Sequence, residues 1–461
     1  MTKMVYPALM ALVFGINGCD SSSNSNTDTL SSTSAQTQSS TASLQESSSS
    51  SSQSLMSSSL SSSLSSSSQA SETEVKIITQ ADRGVVDLNG LVRANTLFDS
   101  DLYHGLKSEG ENLFYSPFSI FSALSMTYAG AQNTTKSEFE SVLHYEENLS
   151  VHESFAQLSA LGAPEHNIFN VANSLWPQEG YPFKADFIYT VQQAYDSNVT
   201  YQNYIDDPKT ACDTINDWVE EKTQDKIVDL IPSLDSTTRL VLVNAVYFKG
   251  TWEVSFDKNN TDTQPFYLTD GTQSSVDMMH LGGEYLAYYE NETFQMLALP
   301  YKENEFSMLV FLPRETASMA ELEAMLVQNP PQYFSSSAGE YKVNVSLPKF
   351  KIKWGTFDLT DFLKAQGMIN TFDRNMADFS RMYDAQESLE NIYIKAVYHQ
   401  AFIEVNEEGA EAAAATAVVA VGISGTSVSE PKVFNADRPF IFYIIDNRSQ
   451  MILFGGKLER P

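Results

Sequence analysis

Asn406-Glu407-Glu408-Gly409-Ala410-Glu411-Ala412-Ala413-Ala414-Ala415-Thr416-Ala417-Val418-Val419-Ala420-Val421-Gly422-Ile423-Ser424 is the stretch on which the reading of this chain turns. Its alanine run has high helix propensity and could form a short surface helix, yet it has no apolar face of 3.6-residue period. As a strand it reads differently. Every second residue from Ala410, namely Ala412, Ala414, Thr416 and Val418, is small or modest in size, so one face could enter a packed sheet without a clash of volume. Toward its end the segment becomes β-branched. It has the chemistry of a loop that is exposed in one state and a central strand in another.

The flanks are β-forming. Ala401-Phe402-Ile403-Glu404-Val405 precedes the stretch, and the apolar runs Phe440 to Ile445 and Met451 to Phe454 follow it, separated by Asp446-Asn447-Arg448-Ser449-Gln450 as a hairpin connection. Further upstream, Leu240-Val241-Leu242-Val243, Phe306 to Leu312 and Tyr341 to Leu347 read as strands. The earlier part is helical: Leu88 to Leu106 repeats apolar residues at helical spacing, and Ser116-Pro117-Phe118 opens a second helix through Ala129. Helices first and strands afterwards, without regular βαβ alternation or an apparent repeat, predict an α+β fold with mainly antiparallel sheets.

Composition bounds the rest. The chain has 461 residues, 28 Lys+Arg against 58 Asp+Glu, and a net charge of −30, which repels phosphate backbones and argues against nucleic-acid binding. The acidity lies in the part that folds, since only Asp20, Asp28 and Glu46 fall in residues 20–71. Residues 73–461 are expected to fold, and 42% apolar content supplies a large core. Residues 1–18 carry Lys3, an apolar run from Ala8 to Phe14, and Ile16-Asn17-Gly18 before Cys19, which reads as an export signal too short to span a membrane stably. A small residue before Cys19 resembles the lipobox of bacterial lipoproteins, in which the cysteine becomes an acylated N-terminus. An ordinary signal peptide of a secreted protein is the alternative. Ser21 to Ser71 is almost entirely Ser, Thr, Gln and Asn, a tether within residues 19–72 whose span is on the order of 40 Å. A glycosylated stalk is the rival reading, and the lipobox-like ending favours a bacterial lipoprotein facing periplasm or cell surface.

Ordinary enzyme chemistry finds little support. The six histidines, His104, His144, His152, His166, His280 and His399, show no zinc-helix spacing, so no metal is expected. No phosphate-cradling Gly-rich loop precedes a helix, and no cofactor is expected. Gly422-Ile423-Ser424-Gly425-Thr426 fails the G-x-S-x-G pattern. With Cys19 acylated, Cys212 is left without a disulfide partner and reads as packing rather than a catalytic thiol.

Several motifs in order resemble the serpin family over essentially all of residues 84–461. Asn112-Leu113-Phe114-Tyr115-Ser116-Pro117-Phe118-Ser119-Ile120 is similar to the family's early shutter motif. Ile215-Asn216-Asp217-Trp218-Val219-Glu220, with Thr223, Lys226 and Ile227, resembles its helix before a long strand. Leu242-Val243-Asn244-Ala245-Val246-Tyr247-Phe248-Lys249-Gly250-Thr251-Trp252 resembles its most characteristic strand. Glu407-Glu408-Gly409 with the alanine hinge, and Phe434-Asn435-Ala436-Asp437-Arg438-Pro439-Phe440, complete the set.

The resemblance implies a serpin fold and a serine protease inhibitor, not an enzyme. In that family the target's serine attacks the reactive-centre loop, here about residues 407–433, and forms an acyl-enzyme. The freed loop then enters the main sheet as a strand, a mechanism supplied by the family rather than read from these residues. The resemblance makes Glu408, Gly409, Ala410, Ala412, Ala414 and Thr416 the loop hinge and Ile423-Ser424 the reactive bond. Val421-Gly422, Thr426-Ser427 and Val428-Ser429 remain alternatives, because Gly425 to Val433 is longer than in many animal members. No Lys or Arg occurs from Gly409 through Pro431, so elastase-like or subtilisin-like proteases are the expected partners rather than trypsin-like ones. Ser116, Ser119, Asn244 and His399 map to the shutter and Trp252 to the breach. The absence of Lys and Arg from Ser137 to Phe183 argues against heparin-type activation. A monomer is expected. A non-inhibitory serpin acting as a binding or chaperone-like module, or a cross-class inhibitor of papain-like cysteine proteases, is the alternative.

Overall fold

Among the described residues, six helices lie between Leu88 and Lys222, the first two where the sequence pattern places them. The computed structural model describes residues 12–17, 85–162, 164, 166–388, 391–410 and 430–461. Leu88–Leu106 (α1) buries Leu91, Ala94, Phe98 and Leu102 along one stripe. Pro117–Tyr128 (α2) follows Ser116, whose side chain caps the helix by accepting from the Ser119 N–H, with Pro117 where a missing N–H costs nothing. Every residue of α2 is buried, the mark of a helix enclosed by protein on all sides. Asn133–Val142 (α3), Val151–Ser159 (α4), Ala185–Tyr195 (α5) and Pro208–Lys222 (α6) come next.

The larger functional interest lies in a seven-stranded sheet. Its strands are Leu12–Asn17 (β1), Ile168–Pro177 (β2), Asn198–Val199 (β3), Thr238–Thr251 (β4), Phe350–Asp358 (β5), Ile394–Asn406 (β6) and Gly409–Ala410 (β7). β5 pairs with β6 on one side, and β4, β2 and β3 form the other. Between β6 and β4 runs a slot holding two short strands end to end. At one end β7 sets Ala410 opposite Gly250 and Val405. At the other, β1 sets Leu12 opposite Asn244 and Ile16 opposite Leu240 and Ile394. Both run antiparallel to their neighbours.

The faces of β4 are distinct. Leu240 and Leu242 join the main core, with Val246 and Phe248 packed against it, whereas Val241 and Val243 meet Trp176, Cys212, Ile215 and Val219 beneath α6. Cys212 is buried, its Sγ 3.4 Å from the Ile231 carbonyl, and burial raises its pKa, the setting of an inert packing thiol.

A nine-stranded sheet closes the fold. Its central strands Phe306–Pro313, Phe440–Asp446 and Ile452–Leu458 are buried at every position. Phe114, from Leu113–Tyr115 at the sheet's edge, stacks on Phe442 at 5.9 Å and Phe454 at 5.3 Å. At the opposite edge Lys432–Asn435 pairs in parallel with Gly339–Pro348. Segment 407–433 is therefore held in one sheet at its start and in the other at its end.

The α+β expectation holds, and the strands and helices anticipated from periodicity lie within observed ones to within a residue at their ends, the second helix stopping at Tyr128 and the last strand starting at Ile452. Several strands were not anticipated, among them Asp262–Tyr267, Gln273–Glu290, Phe294–Pro300 and β5. Two of the others are instructive. β2 lies in the helical half, and residues 173–177 are buried in succession, so its sequence shows no alternation to betray it. β1 belongs to a run expected as an export signal, and it pairs inside the sheet.

Candidate functional site

Glu407 and Glu408 form the turn between β6 and β7, at the upper end of the slot. The Trp252 N–H donates to the Glu408 carbonyl and the Phe256 N–H to that of Glu407, both at 2.9 Å. Gly409 has φ +144°, and a Cβ there would lie 1.9 Å from the Gly250 carbonyl oxygen, so only glycine fits. Ala410 follows, fully buried. Glu407 is only 5% exposed. Burial pushes its carboxyl up, but its backbone contact, the Thr261 hydroxyl and Lys349 outweigh this and hold it below the usual range. Lys258 lies 2.5 Å from Glu408, which raises the lysine's pKa. The two carboxylates thus tie the turn to Thr261, Lys349 and Lys258.

Trp252 sits beside this turn, 1% exposed, donating from Nε1 to the Asn406 carbonyl at 3.0 Å and stacked on Tyr301 at 4.5 Å. Just below Ala410 a small cavity is lined by Val246, Phe248, Phe402 and Ile403. It marks the part of the slot between β7 and β1, where residues 245–249 of β4 have no strand partner toward β6 among the described residues.

Midway along the slot lies a buried polar cluster. The Ser119 hydroxyl donates to Asn244 Oδ1, and Asn244 Nδ2 donates to Asn173 Oδ1 at 2.6 Å. Asn173 in turn donates to the Tyr195 carbonyl at 2.6 Å, tying β2 and α5 to β4. The Ser116 N–H donates to His399 Nε2 at 3.0 Å, and its hydroxyl donates to the Leu453 carbonyl at 2.7 Å. Because Nε2 accepts, the neutral ring carries its proton on Nδ1, which has no partner among the described residues. Burial lowers the His399 pKa to about 3. The cluster therefore bridges α2 to both walls of the slot with neutral groups, which separate at lower cost than buried ions would.

Ser116, Ser119, Asn244 and His399 thus come together, Trp252 joins Glu408 and Gly409 at the turn between β6 and β7, and Cys19, Ala412, Ala414, Thr416, Ile423 and Ser424 lie outside the described residues. Sequence reasoning missed Asn173, Tyr301 and Lys349. An asparagine inside the β run Ile168–Pro177 was a usable signal for the first; for Tyr301 and Lys349 only the fold supplies the neighbour.

A family model described as serpin (serine protease inhibitor) matches residues 93–461. The chain is 36% identical over 403 residues to a serpin-like protein of Methanosarcina acetivorans, covering 85% of this chain and 92% of that one. It is 35% identical over 386 residues to leukocyte elastase inhibitor of Equus caballus, covering 80% of this chain and 99% of that one. Among solved structures it resembles cleaved serpin 42Da with TM-score 0.72 and 30% identity, over 81% of this chain and 100% of that one. The chain belongs to the serpin family, a family of protease inhibitors.

Proposed function

We propose that the chain inhibits serine proteases by being cut and then inserting its cleaved loop into the slot between β4 and β6. The observation that carries this is β7: Gly409 and Ala410 already pair with both walls, so the first step of strand addition is in place. A loop continuing that register one residue for one residue would set Ala412 opposite Phe248, Ala414 opposite Val246 and Thr416 opposite Asn244. All three β4 residues lie on the core side. Small side chains at Ala412, Ala414 and Thr416 are then what allows fast entry, since a bulky or charged group there would stall insertion while water hydrolyses the acyl-enzyme. Glu411, on the opposite face, would meet Lys249.

In the step itself the protease's serine Oγ attacks the Ile423 carbonyl, an ester forms, the Ile423–Ser424 peptide bond breaks, and the new Ser424 amine leaves with a proton. Fourteen residues from Ala410 to Ile423 extend about 45 Å, enough to drag the acylated protease along the sheet. The lack of Lys and Arg in the loop supports elastase-like or subtilisin-like targets. Similarity to an elastase inhibitor accords with this. The lipobox-like run before Cys19 supports export and anchoring by an acylated cysteine through the Ser-rich tether.

Incubation with pancreatic elastase, neutrophil elastase and subtilisin tests the reading on denaturing gels. The expected result is an SDS-resistant complex and a released peptide starting at Ser424. Cleavage throughout the panel without complex would favour the substrate-like alternative instead, and another peptide mass would move the bond. Palmitate labelling lost on Cys19→Ala tests the anchor.

A further inference from the structure

We propose that residues 12–17, as long as they remain attached, are a resident strand that blocks the lower half of the slot, so that the loop can insert fully only once they leave. The consequence for inhibition rests on the function proposed above; the seat of the strand does not.

Register carries the argument. β1 pairs with β4 from Leu12 opposite Asn244 to Asn17 opposite Thr238, and with β6 at Phe14 opposite Val397 and Ile16 opposite Ile394. It therefore satisfies backbone groups on both walls, and it runs in the same direction as β7. Continued from Ala410 opposite Gly250, the loop would need the same β4 partners, residues 238–244, for its residues 416–422. The two segments cannot occupy those positions together. Among the described residues, the stretch between β7 and β1, which holds the small cavity, is the part of the slot left to the first inserted residues.

The segment suits a central strand. Leu12-Val13-Phe14-Gly15-Ile16 is rich in β-formers, and no proline or charged residue occurs from Ala8 to Gly18. Attachment matters as much as sequence, because a tethered strand competes at an effective concentration in the millimolar range. Scission after Gly18 would convert that into a bimolecular contact and vacate the lower slot. The event that would make Cys19 the N-terminus would then also free the inhibitor.

The test uses the full chain carrying Cys19→Ser, expressed without export so that residues 1–18 remain, against the same chain with Val13→Pro, which a central strand cannot accommodate. Hydrogen exchange is expected to show residues 12–17 and 394–397 protected in the first and at least 10-fold faster in the second. Exchange of residues 12–17 at unstructured rates in the first protein would overturn the proposal. So would a dimer, which would put the strand in a second copy. Two readouts then test blocking. Complex formation with the protease should be at least 10-fold faster with Val13→Pro, and nicking the loop should raise the thermal midpoint of that variant alone as the loop adds to the sheet. Equal rates, or an equal rise in both proteins, overturn the block. Protection of residues 12–17 with neither trapping nor a rise in either protein removes both the inhibitor reading and the block, leaving only the seat of β1.

Discussion

The two sheets of this serpin are built on opposite principles. In the nine-stranded sheet, Phe306–Pro313 and Phe440–Asp446 are consecutive neighbours buried along their whole length, and aromatic rings such as Phe114, Phe442 and Phe454 stack across strands. In the seven-stranded sheet, β4 and β6 are held apart by two short strands from distant parts of the chain. Its centre is crossed by neutral hydrogen bonds through Ser116, Ser119, Asn244 and His399. One sheet is a core that resists change. The other keeps a seam between β4 and β6, and Gly409 sits at its upper end.

The largest effect should come from loading the seam. Ala412→Arg would carry a charge to the core side of β4 opposite Phe248, and the covalent protease complex should fall roughly 100-fold while loop cleavage persists. Denaturing gels read both, and an undiminished complex would end the insertion mechanism. Loading the other sheet should do the reverse. Phe442→Ala removes a fully buried ring and should cost about 3–5 kcal/mol in denaturant unfolding, with trapping per folded molecule unchanged.

Acid should separate the sheets by sign. His399 in β6 has its pKa lowered by burial to about 3, so the folded state disfavours its protonation. Its contribution is intact above the unfolded value near 6.5 and is lost as pH falls toward 3, at up to about 1.4 kcal/mol per pH unit. His399→Gln should flatten the acid limb of stability by about 3 kcal/mol between pH 6.5 and 4. Asp99, whose carboxylate accepts from the Tyr115 hydroxyl at 2.7 Å beside the nine-stranded sheet, is raised by burial to about 7. Its contribution is present below the unfolded value near 4 and declines as pH rises through 7. Asp99→Asn should therefore stabilise by about 2 kcal/mol at pH 7 and change little at pH 3. Smallest is Trp252→Phe, which keeps the stack on Tyr301 but loses the bond to Asn406, about 1 kcal/mol in thermal unfolding.

Much of this was legible in order along the chain. The helical stripe of Leu88–Leu106, the Ser116-Pro117 cap, the closing hairpin and the small-residue parity of the hinge are local patterns, and local patterns survive in sequence. The resemblance supplied the polar cluster, but not Asn173, which completes it. Strand β2 stayed hidden because burial on both faces erases alternation, and Tyr301 because its partner Trp252 lies 49 positions away with no periodic relation to it.

Sequence by itself determined the class of the fold, the acidic character of the chain, and the alternation of small residues that follows Gly409. Only the tertiary structure decided that Gly409 must be glycine, since the Gly250 carbonyl that excludes a side chain is 159 positions distant. It also decided that Leu12–Asn17 pairs with Leu240 and Ile394. An apolar, β-prone run looks the same to a membrane and to an open sheet edge. Which one receives it depends on whether two walls about 10 Å apart, one strand's width on either side, stand ready with unpaired backbone groups, and that spacing is written in no single stretch of residues.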